Sequence, residues 1–378
     1  MRRFLLILLM LAVIAAGVVE WANAAWDAPG PIAAGGKETV VLIPPGSRTR
    51  DIARTLEQKG VIKYALLFQF DLALRRVLDP QTSSKTGKLK AGEYAIPSEA
   101  SMASIAKILA EGKSIQHKLT VAEGLTSDMV LKLVQADPVL LGDAGPAPEE
   151  GSLLPETYLF TRGETRAHLV AQMAKAQAKF LEDKWAGRAP GLPLKSARDA
   201  VILASIVEKE TSVPEERRHI AAVFLNRLKI GMRLQTDPTV IYGLTKGYPL
   251  GRGIRQSELD AATPYNTYVI AGLPPSAICN PGKDSLVAVL NPEQSDDLFF
   301  VATGHGGHVF ASTISEQARN VAAYRAFEKK QQAAESPSGR TVEANGRGRH
   351  DGYGAGPQSA QTSARATAEE TRPQVTQV

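Results

Sequence analysis

Cysteine is nearly absent from this 378-residue chain. Cys279 has no second thiol to pair with, so the chain holds no internal disulfide framework, a scarcity compatible with any compartment. Lys209 invites a Schiff-base reading, but no glycine-rich loop that would cradle a cofactor phosphate accompanies it, and no cofactor is expected. Nucleic-acid-binding modules are missing as well, so no nucleic-acid partner is expected. Charge is missing from one long run, "FLLILLMLAVIAAGVV" (Phe4 to Val19), and aliphatic residues nearly vanish after Gln331. What is present is 44% hydrophobic and 22% charged residues, enough for a sizeable core, with a formal net charge of +5 that suits an anionic partner such as a membrane surface or an acidic polymer.

The uncharged run follows Arg2 and Arg3, stops at Glu20 and is flanked by Trp21 and Trp26. It falls slightly short of the roughly 20 apolar residues a span needs unless interfacial tryptophans complete it. Residues 1–26 therefore read as a single-pass anchor in the inner (cytoplasmic) membrane. The small-x-small "ANA" (Ala22 to Ala24) leaves a cleaved signal peptide open. Under either reading, arginines before the run place the remainder on the periplasmic, extracytoplasmic side.

Residues 27–37, rich in proline and glycine, form a linker. Residues 38–135 read as a small α+β region of strand-turn-helix units. "ETVVLIP" leads into "RTRDIARTLEQKGVI", "GEYAIP" into "SMASIAKILAEGK", and "HKLT" into "SDMVLKLV". Turn-rich sequence then opens a second, mixed α/β domain over 136–330. Helices are expected from Arg166 to Trp185 and from Ser196 to Thr211, the latter capped by Ser196 with Asp199. A second capping box, Ser212 with Glu215, is expected to start a helix from Pro214 to Gly231, followed by loop and strand over "RLQTDPTVIYGL". "DDLFFVATGHGGHVFAST" reads as two strands around a turn, with a last helix to about Lys330. Residues 331–378 bury too little to offset ordering entropy and read as a disordered tail.

Within "ILASIVEKETSV", Leu203, Ile206, Val207 and Glu210 fall at i, i+3, i+4 and i+7, so Glu210 prolongs an apolar stripe. Glu208 follows the smaller side chains Val201, Ala204 and Ser205. A carboxylate at the end of an apolar stripe is desolvated, which favours its protonated form and suits a general acid. Two surface glutamates at a fraying helix end, paired with Lys209 or Arg217, fit the same pattern.

"LASIVEKET", "VFLNRLKIGMRLQTDPTVIYG", "PYNTYVIAGLPPSAICNPG" and "FFVATGHGGHVFA" together resemble the MltG/YceG family of endolytic peptidoglycan transglycosylases, over roughly Glu150 to Phe327. The resemblance implies a lyase that cuts the β-1,4 bond between N-acetylmuramic acid and N-acetylglucosamine in nascent glycan strands, leaving 1,6-anhydro-muramic ends. It implies that the small modules are LysM-like and that Glu210 serves as both acid and base. The expected partners are nascent glycan, the membrane and neighbouring peptidoglycan synthases.

Gln235, Asp237, Asn266 and Tyr268 sit in loop-like sequence, where amide, carboxylate and phenol suit sugar recognition. Asp237-Pro238 and Asn266 equally suit turn formation. Glu150 and Glu156 are further candidates for the cleft. His305 and His308 in "GHGGH" lack an evident third ligand, so no metal is expected. Two other readings stand beside the lyase: a non-catalytic glycan-binding scaffold that recruits synthases, and a hydrolase with Asp237 as second carboxylate.

Overall fold

The computed structural model describes residues 2–78 and 88–335. The expected tail lies outside the described residues from 336 onward. Two compact units emerge, and the chain passes between them more than once. The first takes the described residues up to Ala122 with Asp128–Ala147 and Glu156–Ala174; the second takes Glu123–Ser127, Pro148–Pro155 and the described residues from Lys175. The architecture is mixed α+β, with three separate two-stranded antiparallel sheets among the described residues.

In the first unit, helix α1 (Arg2–Asp27) contains a 19-residue segment, Leu9–Asp27, long and apolar enough to cross a membrane, a test that a signal sequence also passes. Strands β1 (Glu38–Ile43) and β2 (Gly92–Pro97) pair with Glu38 opposite Pro97. Period-two alternation turns Val41 and Ile43 into the core and leaves Val40 and Leu42 outside. Helix α2 (Thr49–Gln58) buries Ile52, Ala53 and Leu56. Helix α3 (Ala65–Leu78) adds Phe68, on which the buried Trp26 stacks with ring centroids 5.6 Å apart. Helix α4 (Met102–Glu111) starts at Ser101, whose hydroxyl accepts from the Ser104 amide. It stops at Gly112, whose φ of 75° is the left-handed geometry that closes helices without a Cβ penalty.

Strand β3 (His117–Thr120) pairs not with its sequence neighbours but with β4 (Thr157–Phe160), and helix α5 (Ser127–Ala136) follows it. Buried Glu93 joins the two sheets, accepting from Arg162 Nε at 2.9 Å and lying 2.7 Å from His117 Nε2. Burial alone would raise its pKa, but these two partners outweigh it and hold the carboxyl below the ordinary value.

Helix α6 (Arg166–Ala186) leads into the second unit, whose core helix is α7 (Ala197–Glu210). The Ser196 cap accepts from the Asp199 amide at 3.2 Å, as its sequence implies. Residues Ala200 to Val207 are all buried, because α7 packs against α8 (Arg217–Lys229), α9 (Asp237–Thr245) and α11 (Lys283–Leu290). Helix α10 (Gln256–Leu259) is a single turn, strands β5 (Phe299–Ala302) and β6 (His308–Ala311) form the hairpin read from sequence, and α12 (Ile314–Glu335) closes the described chain.

Two local expectations fail. Thr211, not Ser212, supplies the oxygen before Pro214, accepting from the Val213 amide at 3.0 Å, and the first turn is 3-10. "DPTVIYGLT" is helix α9, not loop and strand: its β-branched run argued for a strand, but Pro238 in the first turn and the buried Thr239 hydroxyl, bonded to the Thr236 carbonyl at 2.8 Å, favour a helix.

Asn280 holds three distant pieces of the second unit together. Its side chain accepts from the Leu153 amide at 2.9 Å and donates to the Leu125 carbonyl at 3.0 Å, while its own amide donates to the same carbonyl at 2.8 Å. Asn280→Ala leaves a buried amide unpaired, at a cost of about 1–3 kcal/mol. A lowered thermal midpoint is the expected result, and an unchanged melting curve contradicts this role.

Candidate functional site

Glu210 is the last residue of α7, and Thr211 leaves the helix in an extended conformation (φ −142°, ψ 138°). The Glu210 side chain therefore ends an apolar stripe with its residue half-buried. The Thr236 hydroxyl donates to its Oε1. Desolvation raises the Glu210 pKa to about 7; the nearby Asp237 charge adds to the rise, while the Thr236 hydrogen bond and the Arg227 charge oppose it. A carboxyl so placed exchanges its proton near neutral pH.

Thr236 is itself fixed. Its amide donates to Thr267 Oγ1 at 3.0 Å, and the Thr239 and Thr267 hydroxyls lie 2.9 Å apart, all three threonines being fully buried. Gln235 beside it has a φ of 50°, a left-handed geometry uncommon outside glycine, and its amide N–H donates to the Thr267 carbonyl at 3.1 Å. The backbone on either side of Glu210's hydrogen-bond donor is thus clamped from the 267 loop.

Asp237 opens α9 and accepts from the Tyr268 hydroxyl at 2.6 Å. Burial raises the Asp237 pKa against the lowering effect of that hydrogen bond, and burial together with the Asp237 charge pushes Tyr268 upward, keeping the phenol protonated. Arg227 is buried in α8, its Nε donating to the Leu298 carbonyl at 2.7 Å and its Nη1 to the Leu234 carbonyl at 2.5 Å. Burial lowers its pKa to about 10 despite the opposing charges of Glu210 and Tyr268, so it stays cationic at neutral pH.

Glu210, Gln235, Asp237 and Tyr268, chosen from sequence, come together around Thr236. The other candidates go elsewhere. Asn266 is fully buried and its amide nitrogen donates to the carbonyls of Glu258, Leu259 and Ala261, at 3.2, 2.8 and 2.7 Å. It shapes the loop that carries Tyr268, whose amide donates to Asn266 Oδ1 at 3.0 Å. Glu150 accepts from the Ser127 amide at 2.6 Å and from the Tyr242 hydroxyl at 3.2 Å, capping a helix. Glu156 falls in the first unit beside β4. Glu208 accepts from the Gly282 amide at 2.9 Å and the Ser285 hydroxyl at 2.7 Å, stabilising the start of α11. His308 Nδ1 lies 2.7 Å from Glu216 Oε2, and His305 packs on Phe327 with ring centroids 4.5 Å apart. Among the described residues no group of three or more His, Cys, Asp or Glu side chains is arranged to hold a metal.

Sequence reading missed Thr236 and Arg227. Arg227 did carry a signal: Ile220, Val223, Phe224 and Arg227 repeat the i, i+3, i+4, i+7 pattern that ends in Glu210. Two apolar stripes on packed helices end in opposite charges that influence each other.

The YceG-like family profile matches residues 41–323. An endolytic murein transglycosylase of Streptococcus pneumoniae is 30% identical over 369 residues, covering 83% of this chain and 64% of its own length. Another, from Bacillus subtilis, is 30% identical over 312 residues, covering 76% and 85%. This chain thus spans less than two thirds of the pneumococcal protein. A crystal structure of a putative yceG-like protein from Listeria monocytogenes is 31% identical, with a TM-score of 0.44, covering 75% of this chain and 98% of that one. The extent of the profile match and the identity to these relatives establish that the chain belongs to the YceG-like family.

Proposed function

We propose that the chain is a membrane-anchored endolytic murein transglycosylase in which Glu210 is both acid and base. The observation that carries the proposal is a single carboxyl whose pKa is raised to about 7, hydrogen-bonded to Thr236 beside Asp237 and Arg227. The names of the pneumococcal and Bacillus relatives support the reaction class. The substrate is a nascent glycan strand, cut at the β-1,4 bond between N-acetylmuramic acid and N-acetylglucosamine.

Protonated Glu210 gives its proton to the glycosidic oxygen as the bond from that oxygen to the anomeric carbon breaks. The sugar's own C6 hydroxyl attacks the anomeric carbon, and its proton passes to the Glu210 carboxylate, restoring the acid. No water is consumed, and the product ends in 1,6-anhydro-muramic acid. One carboxyl suffices because the nucleophile is tethered at high effective molarity, whereas a hydrolase uses two carboxyls around the bond. Gln235, Asp237 and Tyr268 line the glycan path, and buried Arg227 supplies fixed positive charge that offsets the carboxylate formed in mid-reaction. Residues 38–135, most of them in the first unit, form LysM-like glycan-holding modules, and α1 anchors the chain in the inner membrane with the residues after it outside the cytoplasm. Synthases that make the strand are neighbours there.

Glu210→Gln keeps an acceptor for Thr236 but carries no proton to give, and is expected to lose at least about 100-fold in turnover. Mass spectrometry of uncrosslinked glycan after digestion reads the chemistry. Internal anhydro ends from the parent, missing with the variant, are expected; reducing ends indicate hydrolysis, and equal cleavage by both contradicts the assignment.

Because the acid must be protonated in the free enzyme, kcat/KM falls as pH rises through about 7. Asp237→Asn removes a charge that raises the Glu210 pKa, so this alkaline limb moves to lower pH; a limb that stays in place or moves upward contradicts the electrostatic account.

Stability carries the same signature. The folded-state pKa lies above the ordinary 4.5, so the protonated carboxyl's contribution is complete below that value and is lost as pH rises through about 7. Glu210→Gln, neutral throughout, is therefore expected to gain in melting temperature relative to the parent across that window, and a constant difference contradicts the linkage.

A further inference from the structure

Helix α3 has two apolar faces and only one core to bury. Ala65 and Phe68 turn inward with the buried Asp71, while Leu66, Phe70 and Leu74 fall at i, i+4 and i+8 on the opposite side and are 81%, 66% and 38% exposed. A helix that is apolar on its solvent face is out of place on a unit surrounded by water. The stripe shares a groove of about 850 Å³ with Val18, Val19 and Trp21 of α1. Val18, Val19 and Trp21 are more than half exposed, and Trp21 meets Tyr64, just before α3, with ring centroids 5.7 Å apart. Two polar side chains of α3 in the groove are engaged within the protein: the Gln69 amide donates to the Ala65 carbonyl at 3.2 Å, and Asp71 is buried with a partner of its own.

We infer that α3 is a second membrane contact, docking Leu66, Phe70 and Leu74 into the lipid interface beside the point where α1 leaves the bilayer. The proposal rests on reading α1 as a membrane span. Lipid is the occupant because the stripe is continuous, through one groove, with the exposed apolar surface of the segment that would itself lie in lipid. The paired Trp21 and Tyr64 rings, amphipathic groups favoured at headgroup depth, stand at the junction. A helix held there lies in the plane of the interface with its apolar side toward the acyl chains, and ties the first unit to the bilayer at two places instead of one.

The test labels the full chain with the environment-sensitive fluorophore NBD at single introduced cysteines, native Cys279 being buried away from the reagent. Four positions are compared in nanodiscs holding one copy each, with and without bromine on the lipid acyl chains: Val13→Cys in the span, Leu66→Cys and Phe70→Cys on the stripe, and exposed Lys107→Cys on α4. All four replaced side chains are exposed, so folding is not at stake. Loss of emission in brominated lipid at 66 and 70, well beyond that at 107, is the expected result. Quenching at 13 with 66 and 70 behaving like 107 overturns the docking while leaving the anchor intact. Quenching at 66 and 70 without 13 supports the docking and removes the span. No quenching at any position overturns both, and a blue shift at 66 and 70 without bromine quenching assigns the stripe to a protein surface and overturns lipid docking.

Discussion

The cost of holding a carboxylate away from water organises the second unit. Helix α7 is buried along eight consecutive residues, from Ala200 to Val207, and delivers Glu210 at the end of that buried length. Solvent cannot stabilise the ionised form there as it does at a surface, so the proton is held up to a pKa of about 7. The surroundings limit that rise without cancelling it. Thr236 donates to the carboxyl, Arg227 offers charge from within α8, and Asp237 pushes the other way. Clamping Thr236 through Thr239 and Thr267 means the donor does not have to be reorganised when the carboxyl changes charge, which is the kind of preorganisation that lowers reaction barriers.

The two glutamates of "VEKET" divide labour that their spacing alone could not assign. Glu208 accepts from the Gly282 amide and the Ser285 hydroxyl and lies 3.9 Å from Arg217, so its charge is used to start a helix. Glu210, two residues on, points along the more apolar stripe and faces the threonine cluster. The same segment therefore supplies a structural anion and a carboxyl that holds its proton toward neutral pH from positions two apart, about 200° from each other around the helix.

Much of this was legible in the residue pattern. The α7 cap, the apolar stripe leading to Glu210, the strand-helix units of the first 135 residues and the hairpin around "GHGGH" all rest on local periodicity or local hydrogen bonding, which sequence carries directly. Part of what was hidden depends on contacts far apart in the chain. Thr236 was overlooked between two conspicuous polar neighbours because its importance comes from Glu210, 26 residues away. Asn266 looked like a ligand-binding amide, but three carbonyls consume its donors. Helix α9 reads as a strand because Thr239, Val240 and Ile241 are β-branched, and Pro238 in the first turn with the Thr239 hydroxyl bonded to the Thr236 carbonyl reverses that preference. Glu150 and Glu156, six residues apart, end in different units because the chain crosses between them at Pro155.

The proposed chemistry depends on the ionisation of one side chain, and carbon-13 NMR of the Glu210 carboxyl, assigned by the signal that disappears in Glu210→Gln, measures it without reference to substrate. A midpoint near 7 in the folded full chain is the predicted result. A midpoint at the ordinary 4.5 would mean that water solvates the carboxylate fully, and the site would lose the proton on which the proposed chemistry depends.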